Sequence, residues 1–338
     1  MGLLAENEVT SSRTAIANAL SVSKNEIYFT SGGTEANNIS IFGAVNARKR
    51  LGNKIVTTTI EHSSVYETIK HLESIGFEVV YLTPDENGEI TINQLSNAID
   101  SNTILVSMMY INNETGLILP IDKIAKVIKA KNAPAIFHCD AVQAFGKINI
   151  KPKKLEIDLL SISSHKIYGP QGVGALYIKN GVRILPHTFG GEQESRIRPG
   201  TQATALIAGF GQAVKEIDYT SFDKIQALNN YLKEQIKTLD NVIINSQDNN
   251  FPYILNFSVV GIKSETLLHF LASKNIYVSS GSACAKGKSS HVLNALNIDK
   301  KYIDSAIRVS FCKDNSFSDI DLLINSIDEA TKTLVRKI

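Results

Sequence analysis

Cysteine is scarce here, with three residues, Cys139, Cys284 and Cys312, spread over a chain of 338. An odd count at wide spacing suits neither a disulfide framework nor a zinc site, and it points to reduced thiols in a cytoplasmic setting. Neither sign of charge is in excess: 35 lysines and arginines face 33 aspartates and glutamates, a net of +2. That balance creates no field to draw in nucleic acid or an anionic membrane, so neither is expected as a partner. No apolar run approaches the ~18 residues that a membrane span needs. Residues 1–8 lack the basic and apolar blocks of a secretory signal. The chain has no internal repeat and no low-complexity segment.

What the chain does have is the composition of a globular protein, 43% hydrophobic and 20% charged. A chain this long buries roughly three quarters of its unfolded surface and exceeds the usual limit of a single core. One large and one smaller domain are expected. β-rich apolar runs occur at 26–30, 54–59, 78–82, 103–110, 135–140, 155–161 and 174–178, alternating with helical patterns such as Ile121, Ile124, Ala125 and Ile128. This alternation predicts an α/β layer with a mostly parallel seven-stranded sheet covered by helices. After Thr201 the pattern changes. Helical stretches at 203–217, 221–239, 267–273 and 318–337 and strands at 251–259, 276–280 and 306–310 read as a smaller α+β domain. The expected division is 1–218 and 219–338.

Ligands of an open α/β sheet bind beyond the carboxyl ends of its strands, and polar residues collect there. After the first run comes Ser31-Gly32-Gly33-Thr34-Glu35. Two glycines allow close backbone approach, and the helix start beyond offers free N–H groups to a phosphate, with a Thr34 hydroxyl beside them. A plain turn with a Thr or Ser helix cap explains the same residues. After the second run, His62 could stack on a planar cofactor and shuttle a proton, or sit as a helix-cap neighbour or core histidine. Asn112 to Gly116 could be a simple turn, or Asn113 could hydrogen-bond a ring substituent or a substrate. Asp140 closes an apolar strand, which is costly unless the carboxylate is paired. A pyridinium nitrogen is one partner and a local helix cap another; Gln143, three residues on, could reach a ring oxygen.

The run Ser163-Ser164-His165-Lys166 follows the sixth apolar stretch. Most lysines are solvated surface charges. At the end of a buried strand, however, Lys166 could act as an amine nucleophile and form a Schiff base, while Ser163 and His165 bind phosphate. With a free-lysine pKa of ~10.4, it needs a carbonyl partner and a depressed pKa to be useful. Together these residues are the set that pyridoxal 5'-phosphate requires. Cys284 lies among glycines and small residues, a poor place for an inert packing thiol, and Lys286, Lys288 and His291 would favour its thiolate. Cys139 and Cys312 read better as spare thiols. The same loop imitates a phosphate-binding P-loop, but five residues separate Gly281 from Gly287 where that pattern needs four.

Taken together, Gly32 to Asn38, Glu61-His62, Asn112 to Gly116, Asp140 to Gln143, Ser164 to Pro170, Arg198-Pro199-Gly200-Thr201 and Ser280 to Cys284 appear in an order that resembles the cysteine desulfurases of the NifS/IscS type. These are class V, fold-type I pyridoxal phosphate enzymes. The resemblance covers essentially the whole chain. It implies that Gly33, Thr34, Ser163 and His165 hold the cofactor phosphate, with Thr201 offered across a homodimer interface. By the same resemblance Asp140 would pair with the pyridine nitrogen, Gln143 with the ring hydroxyl, and His62 would stack on the ring. Asn113 would lie near the ring hydroxyl and the substrate. Arg308 would bind the substrate carboxylate. Lys166 would carry the cofactor and, once released, remove the Cα proton of L-cysteine. Cys284 would accept the sulfur as a persulfide, with alanine as the other product of the reaction, and could serve as a transient iron–sulfur ligand. The sulfur would pass to an acceptor protein of iron–sulfur cluster assembly or tRNA thiolation. Relatives carry an N-terminal segment with an Asp-Asn-Ala-Ala-Thr-Thr motif that has no counterpart here. The alternatives are therefore a shortened, catalytically impaired homologue that binds cofactor and acceptor, or another lyase or aminotransferase of this fold.

Overall fold

The computed structural model describes residues 2–85, 87–280 and 290–334. Two compact units are present: Met1–Leu82, Ile90–Tyr110 and Leu119–Tyr219 form the first, and Thr83–Glu89, Ile111–Ile118 and Thr220–Ile338 the second.

The first unit is built on a seven-stranded sheet. Its strands are β1 (Ile27–Thr30), β2 (Lys54–Thr58), β3 (Glu78–Leu82), β4 (Thr103–Met109), β5 (Ile136–Asp140), β6 (Leu159–Ser163) and β7 (Gly174–Ile178), in the order β1-β7-β6-β5-β4-β2-β3. The pairs β2–β3, β2–β4, β4–β5 and β5–β6 are parallel, and β7 runs antiparallel to β6 and to β1. Every residue of β4, β5, β6 and β7 is buried, as a sheet covered on both faces demands. The helices of this unit are α1 (Gly2–Leu20), α2 (Gly33–Arg48), α3 (Ser63–Ser74), α4 (Ile92–Ala98), α5 (Ile121–Ala130) and α6 (Thr204–Lys215). In α5 the predicted stripe of Ile121, Ile124, Ala125 and Ile128 is the buried face. Inside the sheet Thr57 Oγ1 and Tyr177 OH are buried with no hydrogen-bond partner among the described residues, whereas the β5 imidazole is held from both sides. His138 in β5 meets Ser107 Oγ at 2.8 Å and Ser161 Oγ at 3.1 Å on its two neighbouring strands. Burial pushes its imidazole down to about 3, so it stays neutral.

The second unit contains β8 (Val242–Ile244), β9 (Ile254–Val259) and β10 (Ala306–Ser310) in an antiparallel sheet ordered β10-β9-β8. Its helices are α7 (Phe222–Ile236), α8 (Ser264–Ala272), α9 (His291–Ala295), α10 (Lys300–Ile303) and α11 (Phe317–Thr333). Two of them show clear stripes, Ile225, Leu228, Leu232 and Ile236 in α7 and Ile320, Leu323, Ile324 and Ile327 in α11. Burying each such side chain contributes about 1.5–3 kcal/mol.

Three sequence expectations shift. The sixth strand runs from Leu159 to Ser163, not over 155–161, because Leu155 N–H turns back to Lys151 O at 3.1 Å and Glu156 adopts φ 56°. Residues 276–280 form no continuous strand. Asn275 is left-handed (φ 61°), and only Ser279 pairs, exchanging two backbone hydrogen bonds with Arg308 at 3.1 and 2.7 Å. The short strand β8 was not foreseen.

Candidate functional site

Four strand ends of the first unit carry the polar residues singled out from the sequence. Beyond β1, Thr30 Oγ1 donates to Gly32 O at 3.0 Å and α2 begins without a side-chain cap. The Ser or Thr cap considered from the sequence is therefore absent, and the first-turn N–H groups of α2 are left without one. Gly32 sits at φ 154° with ψ −176°, and Gly33 leaves no room for a side chain, since a Cβ there would stand 2.7 Å from Val142 Cγ2. Gly174 is required by close approach too: its Cβ would meet Ile162 O at 2.6 Å and Gly32 Cα at 2.8 Å. Thr34 is exposed.

Beyond β6, a single 3-10 turn, Ser164–Ile167, carries Lys166, which is half-buried. The turn closes on Tyr168, left-handed at φ 64°, with Gly169 N–H donating to Ser164 O at 3.1 Å. Ser163 Oγ lies 2.9 Å from His165 Nδ1. Burial, and then the Lys166 charge, hold the His165 imidazole below its usual range.

Asp140, at the end of β5, shows the local-cap reading of its carboxylate, with an amide as second partner. Oδ1 accepts from Val142 N–H at 3.0 Å, a local cap, and Oδ2 accepts from Asn37 Nδ2 at 2.8 Å. Asn37 Nδ2 also donates to Ser64 Oγ at 2.8 Å, and Ser64 Oγ lies 2.8 Å from His62 Nδ1. His62 is the N-cap of α3, its Nδ1 accepting from Ser64 N–H at 3.1 Å. The helix-cap reading of His62 is thus realised in the structure.

Glu61, next to His62, is fully buried and accepts from Thr58 Oγ1 at 2.8 Å and Met109 N–H at 2.9 Å. Burial pushes its carboxyl up to about 8, with the Asp140 charge adding to the effect and the two hydrogen bonds opposing it. Cys139 is buried beside these acids. Burial, then the charges of Asp140 and Glu61, raise its thiol well above the usual range, which makes it unreactive. Gln143 is half-buried and accepts from Lys147 Nζ at 3.4 Å. Thr201 is exposed. Its segment follows a turn in which Glu194, Ser195 and Arg196 take φ of 45°, 53° and 67°. Glu194 holds that turn by accepting from Arg13 through two 2.7 Å bonds and from Phe29 N–H at 2.8 Å.

In the second unit, Asn112 Oδ1 accepts from the N–H groups of Glu114 and Thr115, both at 2.9 Å, which makes the Asn112 to Gly116 segment a tight turn. The turn presents Asn113, whose carbonyl accepts from Arg308 Nη1 at 2.8 Å. Asn113 Oδ1, Glu114 Oε1 and Arg308 Nε are buried with no hydrogen-bond partner among the described residues. Glu114 Oε2 accepts from Ser290 Oγ at 2.6 Å. Burial raises the Glu114 carboxyl, and Ser290, His291 and Arg308 oppose the rise. Cys284 lies outside the described residues, as does the P-loop-like run that contains it. Among the described residues no group of three or more His, Cys, Asp or Glu could hold a metal ion.

Sequence reasoning gave no role to Asn37, Ser64, Glu61 or Glu194. Asn37 and Glu61 stand inside segments that carried the resemblance, but their partners are distant in sequence.

The family model for aminotransferase class-V matches residues 1–323, and the chain belongs to that family. Among its relatives is cysteine desulfurase IscS of Clostridium botulinum strain Hall, 41% identical over 333 residues, 96% of this chain and 83% of the relative. A solved NifS-like protein superposes with a TM-score of 0.92 at 35% identity, covering 99% of this chain and 90% of its own. A structure of SspA in complex with cysteine gives a TM-score of 0.80 at 35% identity, covering 92% and 88%.

Enzymes of this family use pyridoxal phosphate, and the donor set here suits it. Gly33 forms a cradle that a Cβ would fill. A buried acceptor-only carboxylate closes β5, and an amine-bearing turn closes β6 beside it.

Proposed function

We propose that this protein is a cysteine desulfurase that converts L-cysteine to L-alanine and takes the sulfur onto Cys284. The observation that carries the reading is the pairing of adjacent parallel strand ends, β5 closing on the Asp140 carboxylate and β6 on the Lys166 turn. The relatives support it, since the curated one cited above is named for sulfur removal from cysteine. That favours this reading over the other lyase and aminotransferase readings.

Pyridoxal phosphate would supply an electron-withdrawing ring that spreads negative charge from the substrate Cα. Lys166 Nζ would be its attachment point. The N–H groups at the start of α2, with Gly33, Thr34, Ser163 and His165, would hold the phosphate, and Thr201 of a second copy would complete that contact in a homodimer. Asp140 would keep the ring nitrogen protonated, Gln143 and Asn113 would bind the ring hydroxyl, and His62 would stack on the ring. The Arg308 guanidinium binds the substrate carboxylate through paired hydrogen bonds.

The Lys166 amine would take the Cα proton. The Cys284 thiolate then attacks the substrate sulfur: an S–S bond forms, the substrate C–S bond breaks, and its electron pair remains on carbon. Two protons complete alanine, so cysteine plus thiol becomes alanine plus persulfide with atoms balanced. The persulfide passes to an acceptor protein of iron–sulfur assembly or tRNA thiolation in the cytoplasm.

Incubation of the cofactor-loaded chain with L-cysteine tests the reading, with alanine quantified and the Cys284 peptide weighed. One added sulfur on Cys284 together with alanine is expected. Alanine formation that survives Cys284→Ser would overturn it.

A further inference from the structure

We propose that Asn37 and Ser64 are positioning residues that fix the proton of His62 on Nε2, using the Asp140 carboxylate as the reference. The proposal rests on the reading above, in which Asp140 and His62 serve one cofactor ring.

The chain of donors has only one consistent direction. A carboxylate accepts hydrogen bonds and cannot donate. Asn37 must therefore turn its NH₂ toward Asp140 Oδ2, 2.8 Å away, and this spends one of its two protons. The second goes to Ser64 Oγ at 2.8 Å. Turning the amide over would set Asn37 Oδ1 against the carboxylate. The present orientation holds even though it leaves Oδ1 buried without a hydrogen-bond partner among the described residues. An orphaned buried oxygen is costly, so the carboxylate contact outweighs it.

Having accepted from Asn37, Ser64 Oγ has a single proton left to give. His62 Nδ1 is 2.8 Å away, and the backbone N–H of Ser64 reaches the same atom at 3.1 Å. A ring nitrogen that receives two donors holds a lone pair, so the proton of the neutral imidazole lies on Nε2. Geometry makes this economical. His62 and Ser64 occupy the cap and first turn of α3, and Asn37 sits on α2, with Asn37 and Ser64 both buried. The cap therefore does two jobs, closing the helix and setting the tautomer. The functional consequence is at Nε2, which becomes a proton donor instead of an acceptor.

Long-range proton–nitrogen NMR of the full chain labelled with ¹⁵N in its histidine rings tests this, with His62 assigned by loss of its signals in His62→Gln. The wild type should show His62 as one species, protonated at Nε2 and bare at Nδ1. Ser64→Ala and Asn37→Leu should move both nitrogens toward the averaged values of a mixed tautomer, and Ser64→Thr should restore them. Alanine formation should fall roughly tenfold in Ser64→Ala at unchanged KM, a part of the roughly 10²–10⁴ that a positioned proton-transfer group supplies, since the group itself remains. A wild-type proton on Nδ1, which needs no variant to observe, would overturn the proposal. So would an unchanged tautomer in both variants. The NMR result does not depend on turnover, so a failure of the desulfurase reading would show separately as absent alanine.

Discussion

In the first unit, Asp140, Asn37, Ser64 and His62 bind one another in sequence, each at 2.8 Å from the next. In the second, Asn113, Glu114 and Arg308 each keep one buried polar atom without a hydrogen-bond partner among the described residues. The first cluster grows from the ends of a parallel sheet, where strand spacing fixes where side chains can meet, and its members are already oriented. Its exceptions include Asn37 Oδ1, Glu61 Oε2 and Ser164 Oγ, single atoms in an otherwise connected set. The second cluster hangs on a turn and one strand, and its unmet hydrogen-bonding capacity, at about 1–3 kcal/mol for each atom, is available to a ligand. A connected cluster and one with unmet hydrogen-bonding capacity are different ways of handling buried polarity.

The comparison breaks most severely at Lys166. Lys166→Ala should lower alanine formation by at least about 10³-fold, since it removes both the attachment amine and the proton acceptor; a steady-state assay with added cofactor measures it. The second unit is sharpened by Arg308→Lys, which keeps the charge but loses the planar fork. KM for L-cysteine should rise about 10–100-fold with a much smaller change in kcat, and an unchanged KM would deny that this cluster grips the carboxylate.

A smaller effect is expected at Gly174, where an added Cβ would meet only backbone atoms of Ile162 and Gly32. Gly174→Ala should cost about 1–3 kcal/mol in a urea titration. Last comes Glu61. Its carboxyl is raised from 4.5 to about 8 in the folded chain, so its stabilising contribution is complete below the lower value and is lost as pH climbs through the upper one. Wild-type stability should therefore fall relative to Glu61→Gln between pH 5 and 8, by up to about 1.4 kcal/mol per pH unit. Parallel urea midpoints for the two proteins across that range would contradict the burial of a protonated acid beneath Asp140.

Much of this was legible from residue order. Apolar runs long enough to cross a sheet reveal themselves, and the Gly32-Gly33, Asp140 and Lys166 segments fall at strand ends because strands end where polar residues begin. The run at 155–161 misled because Leu155 and Ile157 are apolar for packing within a turn, and a left-handed Glu156 is not visible in sequence. Residues 276–280 misled for a related reason, since Ser279 alone finds a partner in Arg308. The links that matter most were invisible. Asn37 meets Asp140 across 103 positions and Ser290 meets Glu114 across 176, distances at which only the folded sheet and turn decide who is a neighbour.

The most direct test of the central claim, that the strand-end cluster carries its cofactor on Lys166, is borohydride reduction of the pyridoxal phosphate-treated chain followed by peptide mapping. The account predicts the reduced cofactor's added mass on the peptide containing Lys166. Its appearance on another lysine, such as Lys147, with Lys166 unmodified would contradict it.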